Sequence, residues 1–412
     1  MRCHALPFLL LAAACGGDAA AGALATRADS AGVEIVTNTV ASWRDGGGWQ
    51  IDMEPALEIG PRPDDDPRYD FLRVSAGSIL PSGEIAALVS SSREIRFFSP
   101  AGEWLRSAGR DGEGPGEMRG PAGLSRAGDT LFVSDMQLGR LNAFSTSGAF
   151  LTSWPYLTTE ATGRIFPNYR LADGSWIGSS QFFGGSSMQM PSEGLSRPPL
   201  RYFRLSADLG SVLDSVATTP GMEIVMTEMG GSDPSRRMVF FAPPPLGRST
   251  PAMAAGDRFL WGDNASPELH IHAPDGTLRT IVRWEAPAVP VDAVLIERIK
   301  QEAIDRSDGS EAVVQRIESR YAIPSPAPVV PWFNGIHLDS EGAIWLREYA
   351  PLLTDSVRFR IFHTDGQLLG QRALPPRTTV LEIGREHLLT MWQDDDDLEY
   401  LRVYRLRRDV ER

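Results

Sequence analysis

The stretch PSGEIAALVSSSREIRFFSPAG at 81–102 decides the fold. It runs as a turn, an apolar strand, a polar turn, a second apolar strand, and a turn that ends in glycine. The same phrase returns as RAGDTLFVSDMQLGRLNAFSTSG at 126–148, AAGDRFLWGDNASPELHIHAPDG at 254–276 and SEGAIWLREYAPLLTDSVRFRIFHTDG at 340–366. Less regular copies lie at 172–210 and 384–408, which makes six. One such unit is a small antiparallel sheet that cannot bury both of its faces alone. Its repetition therefore predicts a radial or linear stack of sheets.

The flanks of the phrase predict how the stack closes. After the first copy comes EWLRSAG at 103–109, a short strand ending in glycine, and PALEIG at 55–60 has the same form before any copy has begun. The last copy supplies HLLTMWQ at 387–393 and LEYLRVYRL at 398–406 and then runs out of chain. PALEIG is thus the expected outer strand of the last unit, which closes a ring and removes two sheet edges. The expected fold is an all-β six-bladed β-propeller closed by an N-terminal strand, one domain over 32–412.

Three intervals depart from the repeat. Residues 182–199 and 219–249 interrupt the third unit and the link after it, the second with a proline cluster at Pro243, Pro244 and Pro245. Residues 291–324 place Val294, Leu295, Ile299, Ala303 and Ile304, then Ala312, Val313 and Ile317, at helical spacing. Two short helices are expected, broken at Ser307 to Ser310 and ended by Pro324 and Pro326, lying over a mouth or flank of the ring.

Residues 1–14 read as a signal peptide: Arg2 precedes an apolar run from Ala5 to Ala14, too short to span a bilayer. The ending LAAAC at 11–15 resembles the lipobox of bacterial lipoproteins, which implies lipidation at Cys15. A plain secretory signal cut near Ala23 or Ala25 is the alternative. Residues 15–31, small and without an apolar face, are expected to be a flexible tether. Cys3 is the only other cysteine and lies in the segment removed, so no disulfide or thiolate site is expected. The expected location is the bacterial cell envelope, with the membrane reached through the Cys15 lipid alone. Forty basic against 53 acidic residues, a net charge of −13, disfavour nucleic acid as a partner.

GRDGEGPGEMRGPAGL at 109–124, followed by LFVSD at 131–135, GRLNAF at 139–144 and Gly148, resembles the six-bladed propellers of the NHL-repeat and TolB-like group. The resemblance covers about residues 50 to 408. It implies the fold, while function varies within such propellers: most are binding rings, and a minority are metal-dependent hydrolases and lyases.

The candidate ligand-binding residues are few. The glycine loop at 109–118 lacks the GK[ST] ending and opens no helix, so it is no phosphate cradle. It leaves Glu113 and Glu117 as rim acids. His270 and His272 alternate on a strand and share a face, so a metal ion with a third ligand from another blade is conceivable chemistry for them. Asp135, Asp263, Asn264 and Asp339 stand at strand ends. The resemblance implies that such groups converge on Ca²⁺ or Zn²⁺ in enzymatic relatives, whereas a turn-forming aspartate caps backbone N–H groups instead. The four aspartates at 394–397 read as a solvated hairpin tip. No catalytic residue and no cofactor are expected. The reading is a non-catalytic envelope propeller that binds a protein, glycan or small ligand; the alternative is a metal-dependent lactone or ester hydrolase with its site in the channel.

Overall fold

The computed structural model describes residues 24–43, 47–181, 194–229, 238–307, 309–323, 327–352 and 356–408. The signal peptide, Cys15 and Pro324 to Pro326 lie outside the described residues.

Six antiparallel sheets follow one another around a ring. Blade 1 is Val74–Ile79, Ile85–Val89, Glu94–Phe98 and Trp104–Ala108. Blade 2 is Pro121–Ala127, Thr130–Asp135, Arg140–Ser145 and Phe150–Pro155. Blade 3 is Phe166–Arg170, Trp176–Gln181, Pro199–Leu205 and Val212–Pro220. Blade 4 is Ala252–Ala255, Arg258–Trp261, Glu268–His272 and Leu278–Trp284. Blade 5 is Phe333–Leu338, Ile344–Glu348, Val357–Phe362 and Leu368–Leu374. Blade 6 has Thr378–Ile383, His387–Gln393 and Glu399–Arg407 from the C-terminus. The first strand of each blade is innermost and lines the channel. Strands alternate in direction, so the second turn of each blade and the link to the next emerge on one face, here the upper. The first and third turns emerge on the lower face.

The glycine that ends the phrase has a local cause. Gly102, Gly148, Gly276 and Gly366 have φ between 82° and 94°, each following a register shift in the strand before it. A left-handed residue beside a bulge suits glycine, which has no Cβ to clash.

Instead of one central core there are six apolar layers, one in each seam between blades. Leu260, Leu269 and Val282 of blade 4 meet Ile336, Ile344 and Phe362 of blade 5, and the other seams repeat the arrangement. Trp176 and Trp345 are fully buried in the seams of blades 2 and 3 and of blades 5 and 6. Trp392 instead lies under the Arg402 guanidinium, 3.4 Å from its ring centre.

Closure is as expected. Leu57–Ile59 pairs with the last strand, Leu57 opposite Val403 and Ile59 opposite Leu401, and Gln50–Ile51 extends the same edge. The segment before it does more than tether: the tether expected over 15–31 is corrected for residues 24–31, and 15–23 lie outside the described residues. Ala25–Ser30 and Val33–Asn38 form a hairpin, and Val33–Asn38 runs parallel to the outer strand of blade 4. The first of these strands is polar and exposed, stabilised by ladder hydrogen bonds without an apolar face, so periodicity could not reveal it. From there the chain passes blade 5, where Ser42 and Trp43 donate backbone N–H bonds to Leu368 and Leu369, and reaches blade 6. Asn38 pins this strap: it is fully buried, donates to the Arg283 and Gly366 carbonyls, and accepts from Leu368 N at 2.7 Å.

The insertions gather on the upper face. Gly194–Ser196, Ile224–Met229 and Met238–Ala242 form a separate three-stranded sheet. Helices α1, Ala293–Asp305, and α2, Glu311–Tyr321, fill the link between blades 4 and 5, with Asp292 capping α1 through Leu295 N. Neither helix has a fully buried residue. Arg306, just past α1, reaches Asp397 of blade 6 at 2.6 Å, so the pair extends across the face. Among the described residues no helix is long and apolar enough to cross a membrane.

Candidate functional site

The acids and amides singled out in the sequence do not meet in the channel. Asp135 is fully buried, and its carboxylate accepts from the backbone N–H groups of Arg119, Gly120 and Leu138 at 2.9–3.1 Å. It ties the link from blade 1 to the turn it begins. Asn264 does the same one ring-third away, accepting from Ser249 N at 2.8 Å and donating to Ser249 Oγ. Asp339 belongs to the lower face. It accepts from Glu341 N, Ala343 N and Trp345 Nε1 and holds Arg408 at 2.9 Å, so its lone pairs serve a turn and a buried ion pair.

Glu117 folds its own loop. It accepts from Gly114 N and Arg110, and these bonds hold its carboxyl below the ordinary range. Arg140 forks onto the carbonyls of Glu113, Gly114 and Glu117 beneath. Gly109, Gly112 and Gly116 have positive φ, as the sharp crossing between blades requires. Glu113 points to solvent, with Arg119 3.7 Å away.

His270 and His272 do share a face, both stacking on Trp261 with ring centres 4.3 and 6.2 Å away. Trp261 Nε1 donates to His272 Nε2 at 3.0 Å, which leaves Nδ1 as the donor to the Gly276 carbonyl. Burial pushes the His272 pKa down, which keeps the ring neutral. His270 Nε2 is 2.8 Å from Glu268. These contacts take both nitrogens of His272 and one of His270. Among the described residues no group of three His, Cys, Asp or Glu side chains is arranged to hold a metal ion.

A polar chain does cross the lower channel. Arg126 of blade 2 donates to Ser78 of blade 1 at 3.2 Å, and Ser78 donates to Glu382 of blade 6 at 2.5 Å. Glu382 also accepts from Ile79 N and lies 3.1 Å from His387 Nε2. The serine hydroxyl faces the carboxylate and not the imidazole, so the histidine cannot take its proton in the manner of a nucleophile's base. This is a clamp across three blades.

The site missed by sequence reading is a cavity of about 320 Å³ on the upper face. Its floor is the proline run 243–245 with Leu246; α1 contributes Ile299 and Ala303, and α2 ends over it with Tyr321. Tyr349, from the end of the second strand of blade 5, completes the wall. Asp263 and Asn264 act here as supports. Asp263 takes Arg197 as a two-point fork, both contacts at 2.9 Å, and Arg197 holds the Gly221 carbonyl. Glu223, fully buried, accepts from Arg248 N and its guanidinium, closing the loop that carries the prolines. These pairs join segments far apart in sequence, so only the proline cluster and the helical spacing were visible as signals. The apolar walls with Glu302 and Arg320 beside them suit an apolar or aromatic group carrying a polar end.

No family model matches this chain, and no curated protein matches it. Solved structures do resemble it. A member of the DUF4221 family from Bacteroides vulgatus superposes with a TM-score of 0.51 at 9% identity, over 88% of this chain and 99% of its own. A Bacteroides fragilis protein named as exported gives 0.50 at 9% identity, over 91% of this chain and all of its own. At this identity the likeness is one of fold alone.

Proposed function

We propose that this chain is a cell-envelope propeller, anchored by lipid on Cys15, that binds a ligand through the upper face. What carries the reading is one cavity, walled also by Tyr349 of blade 5, on which two insertions converge: the blade 3–4 link with its prolines and the helical pair. A propeller needs none of these to close. Loops that exceed what the scaffold requires, held by a buried ion pair at Glu223, are where a binding fold spends its variation. The ligand is an apolar or aromatic group, from a small molecule or from an envelope protein. The exported name of the B. fragilis likeness and the LAAAC ending agree with an envelope location.

A photo-crosslinking phenylalanine analogue at position 349, in cells, tests the site. Adducts at 349 and none at position 208, on a lower-face turn, are expected; their mass separates a protein partner from a small ligand. Equal labelling at both positions contradicts the reading. Mass spectrometry should find acylated Cys15, and Cys15→Ala should release the protein from membranes. Stoichiometric Ca²⁺ or Zn²⁺ with ester turnover would put the hydrolase in its place.

A further inference from the structure

The innermost strands VSAGSI, PAGLSRA, FPNYR, AMAA, FNGIHL and TTVLEI carry two arginines and a single carboxylate between them. That carboxylate, Glu382, is already engaged by Ser78, Ile79 and His387. The innermost strands thus carry one more positive than negative charge, in a chain whose net charge is −13.

Arg347 adds a third cation; like Arg170, whose guanidinium lies over the Phe132 and Trp176 rings, it makes no hydrogen bond or ion pair among the described residues. It lies in the second strand of blade 5, opposite Gly335 of the innermost strand and opposite Phe359 on the other side. A Cβ on Gly335 would stand 3.5 Å from Arg347 Cβ, 3.9 Å from its Cδ and 3.7 Å from His337 Nε2. The arginine stem and the imidazole thus converge on the space that glycine leaves open. Both residues are partly buried, and among the described residues neither has a hydrogen-bond or ion-pair partner. The next acid in the chain, Glu348, points the other way and already holds Arg360 at 2.7 Å and Gln371 at 2.6 Å. Across the seam, the hydroxyl of fully buried Thr378 on the inner strand of blade 6 is also unpartnered.

A desolvated guanidinium with no counter-charge is unfavourable for the fold, and native proteins keep such groups where a ligand completes them. We propose that the channel at the seam of blades 5 and 6 is a carboxylate-binding site, in which Arg347 takes the ligand carboxylate as a two-point fork and His337 provides a further hydrogen bond. The planar fork matches a carboxylate in a way an ammonium does not. Burial first, and then the charge of Arg347, push the His337 pKa down to about 4, so at neutral pH the ring is an uncharged donor beside the cation. This site is separate from the upper-face cavity, and the two readings can fail independently.

Calorimetry on the full mature chain in detergent, with succinate and acetate at constant ionic strength, tests it. Saturable binding is expected, weakened at least about tenfold in Arg347→Met and partly retained in Arg347→Lys. Gly335→Ala keeps every charge and meets only ordinary contacts, yet fills the cradle, so it too should lose binding. Tyr349→Ala should leave binding intact. Arg347→Met should also melt higher than wild type without ligand, an outcome a structural role for the arginine forbids. No saturable binding, binding unchanged in Arg347→Met, or preference for inorganic phosphate over both carboxylates would overturn the assignment.

Discussion

Two regions of the same ring treat their polar groups in opposite ways. Where blades 6, 1 and 2 meet, Arg126, Ser78, Glu382 and His387 hand hydrogen bonds from blade to blade and the one acid is saturated. Where blades 5 and 6 meet, Arg347 and His337 converge over Gly335 with no hydrogen-bond or ion-pair partner among the described residues. The seams share one architecture and similar apolar layers. The difference separates polar groups that hold the ring from polar groups that wait for something else.

The largest test acts on the closed side. Removing residues 16–60 takes away the strands that complete blade 6 and the buried Ile51 and Ile59. With Leu57 the loss is about 5–8 kcal/mol, a drop of roughly 10 °C or more in melting temperature. Among the described residues, removing 16–30 deletes an exposed edge strand and the surface pairs of Arg27 with Glu34 and Asp365, about 1 kcal/mol or less. Equal melting temperatures would contradict closure by Leu57–Ile59.

The next effect belongs to the open seam. His337 is neutral in the folded chain with its pKa at about 4, against 6.5 unfolded. Between those values the unfolded state binds the extra proton, so stability falls as pH drops from about 6.5 to 4 and this residue adds no further loss below. The contribution is up to about 3 kcal/mol. Urea unfolding from pH 7 to 4 should show it, and His337→Gln should flatten that limb. A smaller effect is expected for Glu382→Ala, about 2 kcal/mol of destabilisation from the stranded Ser78 and Ile79 donors. The smallest runs the other way: Arg347→Met should raise stability by about 1 kcal/mol. Should Arg347→Met destabilise as much as Glu382→Ala, the contrast between the seams is lost.

The blades were legible because the phrase is written in local terms: alternation, turn residues, and a glycine wherever φ is positive. PALEIG could be placed for the same reason, as a strand with no blade of its own. The hairpin at 25–38 could not be read as attached to blade 4, since a polar edge strand bonded through its backbone leaves no mark in side-chain pattern. In sequence Asp135 and Asn264 fit either turn formers or ligands, and the backbone N–H groups they accept from decide for the turn. The meaning of Arg347 and His337 lies in register. Only when Gly335 stands opposite Arg347, and Glu348 turns away, does an ordinary arginine become an unpaired one.

A crystal structure grown with 3-bromopropionate, read through the anomalous signal of bromine, shows directly whether Arg347 holds a carboxylate. One bromine peak is expected in the channel, with the carboxylate forked on Arg347 and within hydrogen-bond reach of His337. An empty channel with Arg347 turned onto a protein carboxylate or carbonyl, at ligand concentrations that saturate calorimetry, would contradict it.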